Sequence, residues 1–441
     1  MYGSHNELAF IHVYEKNGWR VAMQAYKGNI IYTKNREKFE TIENGYVIVN
    51  DLGKIEGCFR KIPEEFNGIN IIDYGEKLII PGFTDCHVHA SQMPTIGIGY
   101  NTELIEWLNT LTIPQEIRLH DREYAVKVYH NFAAEQLRYG ITHSIIMTTI
   151  HADSATILFD ELIKTGLKAY VGKVCEDCNT LEGAMEKTEI AIAESERYIK
   201  ENIDKSALVR PIVTPTLSMI CTRPLMQGLA KQAENYDLPV QVHLSENISE
   251  IEFTLKYFGD CRDFTESYEK AGLMTKAETM VAHSIHLSER EKEVLRERNI
   301  LVGHCPNSNL NLLSGVMKLA QYNDLGIRVG IGSDLAGGHT LSMFQNMTAA
   351  IQQGGMHYIN HSYSRPVTAS EAFYCATKAG GSFFGKTGSF EKGYDFDALI
   401  IDDAEALLYN SFTLEQRAER MIYCSDDRNI VHVYVNGKKL R

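Results

Sequence analysis

Pro81-Gly-Phe-Thr-Asp-Cys-His87-Val-His89 closes an apolar run that begins at Leu78, and the reading of the whole chain turns on it. From Leu78 onward, apolar runs of strand length alternate with longer segments of helical periodicity. The strand-like runs are 78–87, 141–148, 168–174, 208–214, 240–243, 280–283, 300–304 and 328–333, with helical candidates such as 122–138, 181–199 and 288–298 between them. Eight such repeats predict an α/β fold, most economically a (β/α)8 TIM-like barrel, with an open doubly wound sheet as the alternative.

Upstream, residues 8–78 hold short β-rich runs (8–14, 29–33, 46–49, 70–72) broken by turn residues. Beyond about residue 385 the β character returns at 398–401 and 431–435. A few short strands are marginal alone, so the tail is expected to complete the N-terminal sheet. The predicted organisation is therefore 1–77 and 386–441 as two parts of a small β-sandwich domain, around a metal-dependent hydrolase barrel at 78–385.

Bulk properties narrow the function classes. The 44 basic and 57 acidic residues leave a formal net charge of -13, which disfavours nucleic acid and anionic lipid surfaces. No stretch reaches the roughly 18 consecutive apolar residues of a membrane span, and the N-terminus lacks an export-type pattern, so a cytoplasmic protein is expected. Nine scattered cysteines then read as reduced thiols.

The chemistry starts from His87 and His89. Two histidines two apart on an extended chain point to the same side, so both imidazoles can reach one ion. His243 closes Pro239-Val-Gln-Val-His243, His283 closes Thr279-Met-Val-Ala-His283, and Asp334 follows the eighth run. Each alone reads more simply as a satisfied polar residue at a strand end. Five together on the rim where barrel active sites sit imply a common cause, a metal centre. Imidazoles and a carboxylate suit Zn2+, one per subunit with Fe2+ as the alternative, held by His87, His89, His243 and Asp334. No bridging lysine ends the fourth run at Val213-Thr-Pro-Thr216, which favours one ion over two. His283 is left either on the ion or on its water.

Glu246, three residues after His243, reads in isolation as a helix-starting carboxylate, and beside a metal site as a proton shuttle. Three other motifs fail. His5-Asn-Glu7 and Cys175-Glu-Asp-Cys178 lack the Pro-Cys element of cytidine-type zinc deaminases, and Gly330-Ile-Gly332 lacks the rest of a dinucleotide fingerprint. Cys175 and Cys178 as a redox pair would be weak evidence by itself.

With these residues in place the sequence resembles the amidohydrolase superfamily and, within it, the guanine deaminase family. The carrying segments are Pro81 through His-Ala-Ser-Gln92, His243-Leu-Ser-Glu-Asn247, His304-Cys-Pro-Asn-Ser-Asn-Leu-Asn-Leu-Leu-Ser-Gly315 and Asp334-Leu-Ala-Gly-Gly-His-Thr-Leu-Ser-Met343. The resemblance implies hydrolytic deamination of guanine, a small-molecule purine, to xanthine and ammonia in purine catabolism, with one zinc, in a homodimer. It also implies that Asp334 takes a proton from the nucleophilic water, that Glu246 protonates the purine ring and the leaving amine, that His283 orients the nucleophile, and that Gln92 hydrogen-bonds the base. In one place the chain departs. The family's Thr-Pro-Arg-Phe, whose Arg and Phe contact the purine, stands here as Thr214-Pro215-Thr216-Leu217. Thr216 and Leu217 are thus the expected substrate-facing positions, with Arg223 as the nearest substitute guanidinium. An aminopurine, pterin or triazine deaminase shares every catalytic residue and is the competing enzyme reading. A non-catalytic scaffold on the same fold is the competing class, which absence of stoichiometric metal together with no activity after reconstitution would favour.

Overall fold

The computed structural model describes residues 13–16, 19–274, 277–361, 365–408 and 410–441. Its strands are β1 (Val13–Lys16), β2 (Trp19–Tyr32), β3 (Glu40–Asn50), β4 (Ile55–Phe59), β5 (Asn70–Pro81), β6 (Phe83–His89), β7 (Ile141–Met147) and β8 (Lys168–Gly172). They continue as β9 (Val209–Pro211), β10 (Val240–Leu244), β11 (Thr279–His283), β12 (Leu301–His304), β13 (Arg328–Ile331), β14 (Ala398–Ile401), β15 (Ile430–Val435) and β16 (Lys438–Lys439). Of the expected run 8–14, residues 8–12 lie outside the described residues, and Val13 and Tyr14 fall in β1.

Strands β6 to β9 form one parallel four-stranded sheet and β10 to β13 another. A parallel bridge between Val213 and Val240 links the first sheet's last segment to β10. On the other side the Asp334 amide donates to the His87 carbonyl at 2.8 Å. Alternation along these strands sorts their side chains into two cores. Cys86, Ile145, Met280, Ala282 and Leu301 enter a small cluster fed by both sheets, whereas Val88, Ile146, Val281 and Val302 pack into the large cluster that also takes in the helices. Those helices include Arg122–Arg138, capped by Asp121, and Glu289–Glu297, where Ser288 and Glu291 form a capping box.

A separate, mostly antiparallel sheet runs in the order β16-β15-β14-β5-β2-β3-β4, with β1 on β2. The C-terminal strands thus pair into the N-terminal sheet, Leu399 opposite Ile80. The expected sandwich takes the form of one continuous hydrogen-bonded sheet, because β14 and β15 extend an existing edge. The expected single run 78–87 is also corrected. It is two strands: Leu78–Pro81 completes β5 in the antiparallel sheet, and Phe83 opens β6 in the parallel one. Pro81-Gly82 makes the break, and a Cβ at Gly82 would lie 2.2 Å from the Thr142 hydroxyl, so the chain crosses there only without a side chain. A buried ion cluster fastens the two parts: Lys168 Nζ lies 2.8 Å from Asp397 Oδ2, which also sits 3.1 Å from His143 Nε2.

Candidate metal centre

Every rim residue singled out in the sequence sits at or just beyond a parallel strand's C-terminal end, and all are buried. His87 Nε2 is 3.2 Å and His89 Nε2 3.5 Å from Asp334 Oδ1. His89 Nε2 is 3.2 Å from His243 Nε2. His283 Nε2 stands 3.7 Å from Asp334 Oδ2 and 3.4 Å from Glu246 Oε2. The donor atoms gather into two overlapping groups disposed to hold an ion, His87 with His89 and His243, and His87 with His283, Cys305 and Asp334.

The chain reaches this geometry through backbone that strands alone do not supply. Ser245, His283 and Asp334 all have positive φ, at 47°, 65° and 45°. Non-glycine residues there cost about 1–3 kcal/mol each, which the surrounding packing must offset. Glu246 has no part in capping. Asn247 caps helix Ile248–Tyr257 and Glu250 closes the capping box, so the helix-start reading of Glu246 is replaced by a carboxyl left over for the cavity. Its Oε1 accepts a hydrogen bond from the Ser314 hydroxyl at 3.0 Å.

Electrostatics keep the imidazoles ready for a cation. Burial pushes His89 down to about 3, and burial, then the neighbouring imidazoles, hold His243 well below its usual range. His243 Nδ1 lies 2.7 Å from the Thr216 carbonyl, an acceptor, so that nitrogen carries the proton and Nε2 keeps its lone pair. Nδ1 of His87 and Nδ1 of His89 are buried without a hydrogen-bond partner among the described residues, and His87 Nε2 faces only the Asp334 carboxylate. Neutral imidazole nitrogens gathered around a carboxylate are a donor set that fits a divalent ion. Burial also works against charge on Asp334, yet His87, His283 and His89 hold it well below the usual carboxylate range. His283 is the exception among the histidines. Burial opposes its charge, but Glu246, Asp334 and the Asn309 side-chain oxygen 2.9 Å from Nδ1 raise it.

A cavity of about 200 Å³ opens beside this centre, lined by His89, Gln92, Thr216, Leu217, His243 and Glu246 among others. Arg223 is not in it. Its guanidinium pairs with Asp260 at 2.7 and 2.9 Å and lies over the Phe258 ring, so the expectation that it replaces the missing family arginine is corrected. Proximity in sequence to Leu217 misled, because Arg223 begins helix Arg223–Tyr236, and the helix start is tied to Asp260.

Three residues at the site escaped the sequence reading. Cys305 stands directly after β12, a strand-end position that marks it as a rim residue. Glu116 lines the cavity from helix Ile113–Ile117, and Glu176 from just beyond Val174, whose parallel bridge to Thr214 prolongs β8. Glu176 lies inside the Cys175–Cys178 motif, between the two thiols. Both thiols are free, and burial pushes each up to about 11, so neither is a thiolate near neutral pH. His5 and Glu7 lie outside the described residues. Gly330 and Gly332 serve packing, since a Cβ at Gly330 would lie 2.2 Å from Cys86 Sγ.

Residues 78–440 match the amidohydrolase family. The chain is 34% identical to guanine deaminase of Mus musculus, with 94% of this chain and 96% of that one covered. It is 30% identical to guanine deaminase of Escherichia coli K12, over 90% and 91% of the two chains. Among solved structures it is similar to guanine deaminase from C. acetobutylicum with guanine bound in the active site, at a TM-score of 0.92 and 42% identity over 95% of this chain and 99% of that one.

Proposed function

Since the chain belongs to the amidohydrolase family, we propose that it converts guanine to xanthine and ammonia at one divalent ion per subunit, zinc by preference and Fe2+ as the alternative. The chain is an enzyme that deaminates guanine. The observation that carries the reading is the convergence of His87, His89, His243, His283 and Asp334 with Glu246 beside one cavity, in a chain similar to guanine deaminases over nearly all of its length.

His87, His89, His243 and Asp334 would hold the ion. When bound, it lowers the pKa of a water and so supplies a nucleophile at neutral pH. The remaining steps belong to side chains. Asp334 accepts a proton from the attacking water, and His283, held through Nδ1 by Asn309, orients that water. Glu246, steadied by Ser314, donates its proton to the ring nitrogen next to the reacting carbon, takes up the proton of the added hydroxyl and passes it to the departing amine, and the proton held by Asp334 then restores Glu246. Gln92 hydrogen-bonds the base, and Thr216 and Leu217 form part of its wall.

The two parallel sheets are read as halves of one (β/α)8 barrel, which the Val213–Val240 bridge and the core fed by both sheets support. The remaining single sheet is read as a small domain of its own, built by the chain up to Pro81 and by the segment after residue 386. A homodimer in the cytoplasm, serving purine catabolism, completes the proposal. Among the described residues no helix is long and apolar enough to cross a membrane. Ammonia release from guanine, other aminopurines, pterins and triazines by metal-loaded protein tests the function. Absence of guanine turnover would overturn it.

A further inference from the structure

Besides Glu246, the cavity beside the metal centre is lined by two further acids, Glu116 and Glu176, and among the described residues by no arginine or lysine. Glu116 is already engaged. Its Oε1 accepts from the Ser91 hydroxyl and the Gln92 side-chain amide, both at 2.9 Å. Glu176 is 3% exposed, and its Oε2 is buried without a hydrogen-bond partner among the described residues. Thr216, at the position of the family's arginine, likewise keeps its hydroxyl buried and unpartnered. A buried oxygen left unsatisfied is costly, so a ligand that supplies the missing partner is favoured. At this wall a carboxyl oxygen and a hydroxyl, both able to accept, thus stand where a guanidinium would have offered only donors to a carbonyl oxygen.

Resting on the deaminase reading above, we infer that the cavity also accepts rings carrying a second exocyclic amino group where guanine carries its carbonyl oxygen, with Glu176 accepting a hydrogen bond from that amine, and that the enzyme deaminates such diamino heterocycles. 2,6-Diaminopurine is the simplest purine of the class. The reaction is the same hydrolysis. Water adds to the ring carbon bearing the reacting amine, that C–N bond breaks, ammonia leaves with the proton delivered to it, and the ring keeps the second amine and gains a carbonyl.

The surroundings of Glu176 explain how one residue serves both rings. Burial first, then the Glu116 carboxylate, push its carboxyl up to about 8; Glu186 adds to this, while the Thr180 hydroxyl and the Lys173 ammonium oppose it. In its neutral form the carboxyl donates to a carbonyl oxygen, and in its ionised form it accepts from an amine. Guanine is then favoured at lower pH and the diamino ring at higher pH. The two substrates share the metal centre and Glu246, so the ratio of their kcat/KM values cancels those titrations and isolates the far wall, where Glu116, pushed up to about 7 by burial, titrates beside Glu176; Glu176→Gln separates the two.

The test is kcat/KM for guanine and for 2,6-diaminopurine with the zinc-loaded enzyme between about pH 6.5 and 9, in the wild type, Glu176→Gln and Glu176→Leu. Wild type is expected to turn over diaminopurine within about tenfold of guanine, with the diaminopurine-to-guanine ratio rising about tenfold across that range. Glu176→Gln should flatten the pH dependence of the ratio, and Glu176→Leu should lower diaminopurine turnover about 30-fold or more while changing guanine less. Guanine turnover with diaminopurine about 1000-fold poorer at every pH would overturn the inference, as would a ratio that neither substitution moves. Diaminopurine turnover without guanine turnover would support it and overturn the guanine reading, and turnover of neither would overturn both. The wild-type ratio decides even where a variant fails to fold.

Discussion

Replacing Glu246 with glutamine is the sharpest perturbation of the proposed chemistry. The amide keeps the shape, and its oxygen can still accept from Ser314, which now sits 3.0 Å from Oε1. What is lost is a proton-carrying group 3.4 Å from His283 Nε2, on the cavity wall where the substrate amine must depart. Positioned general acid–base groups contribute about 10² to 10⁴ in rate, and Glu246 is assigned two transfers, so kcat for guanine should fall toward the upper end, about 10³ to 10⁴. At 1.36 kcal/mol per decade that is about 4–5.5 kcal/mol of lost transition-state stabilisation. Glu246 belongs to neither ligand group, so metal content should stay at the wild-type value. The assay is steady-state ammonia release alongside elemental analysis of the same preparation. A kcat within about tenfold of wild type would refute the shuttle role. Loss of the metal with kcat would reassign Glu246 to the ligand set.

Chelation should abolish turnover and zinc should restore it, with Tm falling in the metal-free protein because an ion that binds only the folded state stabilises it by mass action. Asn309→Ala leaves His283 Nδ1 without its 2.9 Å partner and should lower kcat about 10- to 100-fold with metal content retained, as measured by kinetics and elemental analysis. Asp397→Asn removes the buried acid shared by Lys168 and His143 and should cost about 3–5 kcal/mol in urea unfolding at pH 7. Burial opposes the charge of Asp397, but Lys168 and His143 hold it far below the usual range. Its contribution is therefore fully present above the unfolded pKa of about 3.9 and lost as pH falls through the folded value, so the deficit of the variant should be constant down to about pH 5 and shrink below it. Gly330→Ala would press a methyl to 2.2 Å from Cys86 Sγ and 3.0 Å from Gly380 Cα, and a loss of about 1–3 kcal/mol is expected from calorimetry.

Much of this protein was legible in its sequence because the signals are local and periodic. The eight strand-length runs, the helix 122–138 and the rim positions of His87, His89, His243, His283 and Asp334 follow from hydrophobic alternation and from the rule that parallel strands present their C-terminal ends on one side. Once those ends share a rim, residues more than 200 positions apart need no long-range information to meet. Only the tertiary structure decided what depends on the path of the loops. It divided 78–87 between two sheets at Gly82, released Glu246 from capping by giving that task to Asn247 and Glu250, and took Arg223 away from the cavity to Asp260. It also brought Glu116, on the short helix Ile113–Ile117, to the cavity wall, whereas Glu176, two residues past the run 168–174, stands at a strand end like the metal-site residues. Metal chemistry was written in strand ends, whereas the choice of substrate lies in side chains that meet only when the chain is folded.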